Sequence, residues 1–292
     1  MATSLHGWRI AVIGVGRMGT PMARRLIEAG AAVTLCDRDP ARLASLLALG
    51  ATAAETPGAA ARQAMISISA VPDDAALEAV IAGPDGVAQA AHPGLLHLDT
   101  STVSPAVSAR VAQSLAPRGA GYLRCPVSGS TETAAAGQLA FFVSGPRAAL
   151  DRAAPVLDVL GSKRLHLGEA EEARVVKLLV NMVVAAMPAL LGEAIAFGTT
   201  LGLPRATVVD ALAQSVVASP LLAYKAEALK ARDWTPAASV DLLGKDLDLA
   251  LAVAREAGLT APLSAMVRAG YAALQDRGEG NADFFRLSDG NG

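Results

Sequence analysis

Four apolar residues, Ile10-Ala11-Val12-Ile13, run directly into Gly14-Val15-Gly16-Arg17-Met18-Gly19, and Met18, Met22 and Leu26 then recur at helical spacing. A buried strand, a glycine-rich turn and a helix in that order commit the chain to opening on a strand-turn-helix unit of an α/β fold. In a G-x-G-x-x-G turn the first glycine permits the tight bend, the second lets backbone approach a pyrophosphate, and the third allows close packing of helix on sheet. Phosphates bound there meet free N–H groups at a helix N-terminus. Gly30 offers a helix stop, and Val33-Thr34-Leu35-Cys36 reads as a second strand closed by Asp37, 18 residues past Gly19. An acidic side chain at that point accepts hydrogen bonds from ribose hydroxyls and repels a 2′-phosphate, which favours NAD. Arg38 beside it can pair with the extra phosphate, which keeps NADP open.

At 292 residues the expectation is two domains. A net charge of −2 provides no basic face for nucleic acid. Cys36 and Cys125 are too far apart for a Cys-x-x-Cys motif, and His6, His92, His97 and His166 show no ligand spacing, so no metal site is expected and the histidines read as structural or exposed. The first strand begins by about Trp8 or Arg9, which leaves little room for a targeting segment and points to the cytoplasm. The most apolar stretch, 178–192, has 15 residues between Lys177 and Glu193. A bilayer needs about 20, so the stretch reads as the buried centre of a globular protein or dimer rather than a membrane span.

Up to about residue 167, Val/Ile/Leu-rich runs alternate with Ala-rich helical segments, as in a parallel sheet with covering helices. Strands are expected at 64–69, 95–99, 121–124, 139–144 and 164–167. From about 171 to 201 a helical pattern is broken only by Pro188, where a kink is expected. Further helices follow to about Asp276, then a polar tail. The expected division is 1–167 and 168–292.

Lys177 and Asn181 lie four apart, on one helix face, in an otherwise apolar run. A partly buried lysine has its pKa drawn down toward neutrality and can exchange protons, while an amide one turn away can hold a substrate oxygen; a lysine snorkelling to the surface is the other reading. Lys245 beside Asp246 repeats the pattern in the apolar run 240–251, again with a surface alternative. Pro126-Val127-Ser128-Gly129-Ser130-Thr131 reads either as a turn whose N–H groups and hydroxyls bind a carboxylate or as a plain loop.

These signals join in order: GVGRMGTPMARRL from Gly14, AVPDD from Ala70, LDTSTVSP from Leu98, PVSGS from Pro126, AAAGQLAFFVSG from Ala134, KLLVN from Lys177 and KDLDLA from Lys245. Over nearly its whole length the chain resembles the β-hydroxyacid dehydrogenase family. The resemblance implies a Rossmann-type α/β N-terminal domain, an all-α C-terminal domain joined by a long interdomain helix, and an active site in the cleft between them. It implies Lys177 as the general acid/base. Ser128, Gly129, Asn181, Thr102 and Asp246 would bind or orient a small carboxylate substrate. Gly14, Gly16, Arg17, Met18, Gly19, Asp37, Arg38, Val71, Pro72, Thr102 and Lys245 would hold NAD, or NADP. It also implies a homodimer or homotetramer built through the helical domain. The sequence departs from the family pattern at Ser130, usually a second glycine, at Arg124-Cys125, usually Asp-Ala, at Ala238, often phenylalanine, and at Val180, often asparagine. An NADP-dependent imine reductase on the same scaffold and an NAD-binding protein without turnover are the alternative readings. Lys177 disfavours the first, and the joint presence of lysine, asparagine and the Ser-Gly turn disfavours the second.

Overall fold

The computed structural model describes residues 3–289. Two compact units, Met1–Lys177 and Leu178–Gly292, share the long helix Glu172–Thr200, which begins in the first and continues into the second.

In the first unit β1 (Arg9–Ile13), β2 (Ala32–Cys36), β3 (Thr52–Ala53), β4 (Ile66–Ser69), β5 (Leu96–Asp99) and β6 (Gly121–Arg124) form one parallel sheet. Its order is β3-β2-β1-β4-β5-β6, the Rossmann order, with the chain reversing direction of travel at β1 and β4. Alternation along β1 shows how both faces become core. Ile10 and Val12 join Met22, Ala23 and Leu26 of the Gly19–Glu28 helix, whereas Ala11 and Ile13 join Leu77, Ile81, Val107 and Val111 on the opposite face. The helices that return the chain begin on side-chain caps: Thr56, Asp73 and Ser104 each accept the N–H three residues ahead.

The expected strands at 139–144 and 164–167 do not extend this sheet. They belong to a second one of order β7-β8-β9, formed by β7 (Val127–Ser128), β8 (Leu139–Val143) and β9 (Gly161–His166), in which β7 and β8 are antiparallel. β9 starts earlier than expected because Ser162, Lys163 and Arg164 are polar and exposed, the pattern of a loop, while Gly161 lies where a Cβ would strike the Leu139 carbonyl and the Phe141 ring.

Among the described residues no strand follows β9. The long helix passes through Pro188 without interruption, and Arg205–Ala213, Pro220–Ala231, Val240–Glu256 and Pro262–Asp276 follow it. Ile195, Val209, Leu229, Leu247, Tyr271 and Phe285 form the centre of their core. One expectation is corrected here. The segment after Asp276 is not simply a polar tail, since Phe284 and Phe285 are buried and Asp283 receives the buried Lys225 ammonium at 2.7 Å. The long helix has 29 residues, close to the expected span, and by length and composition alone it could cross a membrane. It is not wholly buried within one chain. Val183, Leu190 and Phe197, seven residues apart, are 64%, 70% and 72% exposed.

Candidate active site

The glycine turn is pressed between neighbouring strand ends. Gly14 adopts φ +88°, and a Cβ there would land on the Ala70 carbonyl; a Cβ on Gly19 would land on the carbonyl of Gly14. Gly16 differs, since a Cβ would meet only the Arg42 guanidinium, at 3.8 Å, so its backbone faces open space. The helix that follows takes Met18 as its first flanking residue and has no side-chain cap. Its N-terminal N–H groups suit an anion. A cavity of about 650 Å³ lies beside the turn, lined by Val15, Gly16, Thr20 and the cationic Arg17, Arg24 and Arg42. This loop geometry and charge fit the pyrophosphate of a dinucleotide.

Asp37 also locks the turn. Its Oδ2 accepts the Val15 N–H at 2.7 Å and its Oδ1 accepts the Asp39 N–H at 2.9 Å. Each carboxylate oxygen retains capacity for a ribose hydroxyl. Arg38 beside it is exposed.

The turns after β4 and β5 are cross-linked. The Val71 N–H donates to Ser101 Oγ at 3.0 Å, and the Ser104 N–H donates to Asp74 Oδ1 at 2.8 Å. Val71, Pro72 and Thr102 are thereby held on adjacent strand ends, next to the glycine turn after β1.

Beneath them lies a buried polar cluster that spacing did not reveal: Ser67, Ser69, His97, Asp99, Ser101, Ser108, Tyr122 and Arg174. Ser69 gives its proton to Asp99 Oδ1 at 2.5 Å, so it accepts from His97 Nε2 at 2.9 Å, and His97 Nδ1 accepts from Ser67 at 2.7 Å. Burial alone would raise the Asp99 pKa, but the Arg174 guanidinium and the Ser69 and Ser101 hydroxyls hold it below the ordinary value. Burial pushes Tyr122 up to about 12 and His97 down to about 4. The native imidazole thus stays neutral from its ordinary value of 6.5 down to about 4, while the unfolded chain takes up the proton. The unfolded state binds more protons in that window, so His97 makes stability fall with falling pH by about 1.4 kcal/mol per unit there, with no effect above it. Urea unfolding should show His97→Asn narrowing the stability difference between pH 7 and pH 5 by about 2 kcal/mol. An unaltered difference would mean that the ring is charged in the native state.

The PVSGS turn is partly committed to structure. Ser130 caps the short helix Thr131–Ala135, its Oγ accepting the Thr133 N–H while its own N–H donates to Thr133 Oγ1 at 2.7 Å. That accounts for a serine where the family usually has glycine. Ser128 of β7 is paired with Ala140 of β8, and Gly129, at φ +149°, has no room for a Cβ beside Thr133.

Lys177 is half-buried on the long helix, one turn before the buried Asn181. In the second unit Asn181 Nδ2 donates to Asp246 Oδ2 at 2.5 Å, and Lys245 Nζ lies 2.7 Å from Asp246 Oδ1. The Asn181, Lys245 and Asp246 side chains therefore form one group, with Asp246 at its centre.

Residues 9–168 match the family described as the NAD binding domain of 6-phosphogluconate dehydrogenase, and residues 172–288 match the NAD-binding family of NADP-dependent 3-hydroxyisobutyrate dehydrogenase. The 2-(hydroxymethyl)glutarate dehydrogenase of Eubacterium barkeri is 33% identical over 259 residues, covering 88% of this chain and 86% of that protein. The NAD-dependent L-serine dehydrogenase of Pseudomonas aeruginosa is 31% identical over 283 residues, covering 94% and 95%. Among solved structures, the 3-hydroxyisobutyrate dehydrogenase of Mycobacterium tuberculosis with L-serine has a TM-score of 0.86 at 28% identity, covering 99% and 98%. With its six-stranded parallel Rossmann sheet followed by a helical domain, the chain belongs to the NAD(P)-dependent β-hydroxyacid dehydrogenases and is an enzyme of that family.

Proposed function

We propose that this enzyme oxidises a short β-hydroxy acid, or reduces the matching semialdehyde, with NAD preferred and Lys177 as general acid/base. The observation that carries the reading is the pairing of Lys177 with Asn181, one helical turn apart, in which the Asn181 amide is fixed by the buried Asp246. In oxidation the neutral Lys177 amine takes the hydroxyl proton as the C–O bond becomes a carbonyl. In reduction the Lys177 ammonium returns that proton to the oxygen on which negative charge grows. The bound nicotinamide would supply the hydride acceptor for oxidation and the hydride donor for reduction. Asn181 orients the reacting oxygen, the Ser128 hydroxyl and Gly129 N–H hold the carboxylate, and Thr102 lines the strand end beside them. Gly14, Gly16, Arg17, Met18 and Gly19 cradle the pyrophosphate, Val71 and Pro72 bound the cofactor, and Lys245 contacts it while paired to Asp246.

Asp37 supports NAD over NADP, because a carboxylate just past β2 suits the ribose hydroxyls and repels a 2′-phosphate, against the nearby positive charge of Arg38 and Arg42. The names of two relatives support a substrate class. Serine and 2-(hydroxymethyl)glutarate both carry a primary alcohol on the carbon next to that bearing a carboxylate, and a 2-substituted 3-hydroxy acid is the expected substrate. We assign cofactor binding chiefly to 1–167, and the helical substrate and association part to 168–292. A second copy of the chain is the occupant we assign to the apolar seam of the long helix. Its seven-residue spacing at Val183, Leu190 and Phe197 lets identical helices pack on one another, giving a homodimer or homotetramer. Cys36 and Cys125, both buried and free, suit the reducing cytoplasm.

Following reduced-nicotinamide absorbance with 3-hydroxy acids, NAD and NADP tests the reading. Turnover of acids with NAD favoured over NADP is expected. Reduction of cyclic imines without any hydroxy-acid activity would replace it with the imine-reductase reading.

A further inference from the structure

We propose that Arg174 is the positioning residue for Lys177, through a buried clamp on the ends of β5 and β6; the proposal rests on the reading of Lys177 as the proton-transfer group. Arg174 lies in the first turn of the long helix, three residues before Lys177, and its side chain is completely buried. Four of its five N–H groups are engaged, each by a separate acceptor. Nη2 donates to Asp99 Oδ2 at 2.5 Å and to the Tyr122 hydroxyl at 3.0 Å, Nη1 donates to the Ser101 carbonyl at 2.8 Å, and Nε donates to Ser108 Oγ at 3.1 Å. These acceptors sit at the end of β5, in the turn after it, on the Pro105–Leu115 helix and on β6, so the planar fork is held from several directions at once.

Burying such a charge is a poor route to stability, since well-packed apolar residues often do as well. Fixed geometry is what the arrangement supplies. Ser101, whose carbonyl takes Nη1, also holds the Val71 N–H on its hydroxyl and precedes Thr102. One residue therefore ties the helix of Lys177 to both strand-end turns assigned to the cofactor. Three residues along a helix is a rise of about 4.5 Å, so a shift at Arg174 passes almost undiminished to Lys177. Arg124 strengthens the same clamp. It is paired with Glu171 just before the helix and stacked 4.8 Å from the Tyr122 ring centre, which gives a physical reason for arginine where the family usually has aspartate.

The test compares Arg174→Gln, Arg174→Lys and Ser108→Ala with the parent. NADH fluorescence titration counts competent sites, so that kcat is expressed per cofactor-binding site and loss of folded protein drops out. Misplacement of a reacting group by about 1 Å can cost 10²-fold, so Arg174→Gln should lower kcat by about 30- to 100-fold, while the NADH Kd, set chiefly by the glycine turn that Asp37 holds without Arg174, moves less than about threefold. Arg174→Lys keeps the charge on Asp99 but cannot reproduce the fork, and should recover part of the loss. Ser108→Ala, which leaves the ion pair intact, should cost about threefold in kcat. Hydrogen exchange of the cofactor-free protein should show faster exchange of amides 175–178 in Arg174→Gln. A kcat per site within about twofold of the parent in Arg174→Gln overturns the proposal; if that variant yields no folded protein, parental kcat in both Arg174→Lys and Ser108→Ala does so. Failure of the underlying reading looks different: Lys177→Ala would itself retain parental turnover.

Discussion

Lys177→Ala lowers kcat by about 10²- to 10⁴-fold, the usual worth of one positioned acid/base group, while the NADH Kd stays within about threefold of the parent. The split follows from where the residues lie. The groups assigned to the pyrophosphate and ribose sit on the glycine turn and at the end of β2, held by the Asp37 bond to the Val15 N–H, and none of these contacts uses the long helix. Lys177→Arg should not restore turnover, because a guanidinium keeps its proton at neutral pH. Steady-state rates and an NADH titration on the same preparations check this. A kcat within threefold of the parent in Lys177→Ala would move the proton-transfer role to another group.

Asp283→Ala destabilises the second unit by about 3–5 kcal/mol, the cost of leaving a buried ammonium without its carboxylate. Lys225 is 5% exposed and donates to Asp283 Oδ2 at 2.7 Å. The same Oδ2 accepts the Ala237 N–H at 3.0 Å, and Oδ1 accepts the Phe285 N–H at 3.0 Å. Asp283 therefore secures the segment that enters the Val240–Glu256 helix, on which Lys245 and Asp246 are carried. Urea unfolding followed by circular dichroism measures the loss. The double variant Asp283→Ala/Lys225→Met, which removes the orphaned charge as well, should recover more than half of it. A loss below about 1 kcal/mol in the single variant would mean that water reaches the Lys225 ammonium.

Features that lie contiguous in the chain are legible in its sequence. β1, the glycine turn and its helix are adjacent residues whose apolar pattern and glycines are sufficient to announce them, and Asp37 stands at a fixed distance beyond. The buried cluster under β4 and β5 escaped for a physical reason. Ile66-Ser67-Ile68-Ser69 and Leu96-His97-Leu98-Asp99 alternate like strands with one face in water, whereas both faces here are covered. The arginine that makes those polar side chains tolerable inside is Arg174, 75 residues beyond Asp99, and no spacing rule connects them. The same holds for Asn181 and Asp246, each readable from its own motif but joined by a bond across 65 residues. Phe284 and Phe285 escaped because two aromatics in a Gly/Asn/Asp-rich stretch leave too short an apolar run to register, though they complete the helical core.

On the proposed mechanism hydride passes directly between the β-carbon of a hydroxy acid and the nicotinamide, while Lys177 handles only the proton. Incubating the enzyme with NAD and a 2-substituted 3-hydroxy acid fully deuterated at C3, then examining the reduced cofactor by proton NMR, distinguishes direct transfer from loss of the label to water. One deuterium at C4 of the nicotinamide, on a single face, is the predicted result. Product formed with no deuterium on the cofactor, the label having passed to water, would rule out direct hydride transfer to the nicotinamide.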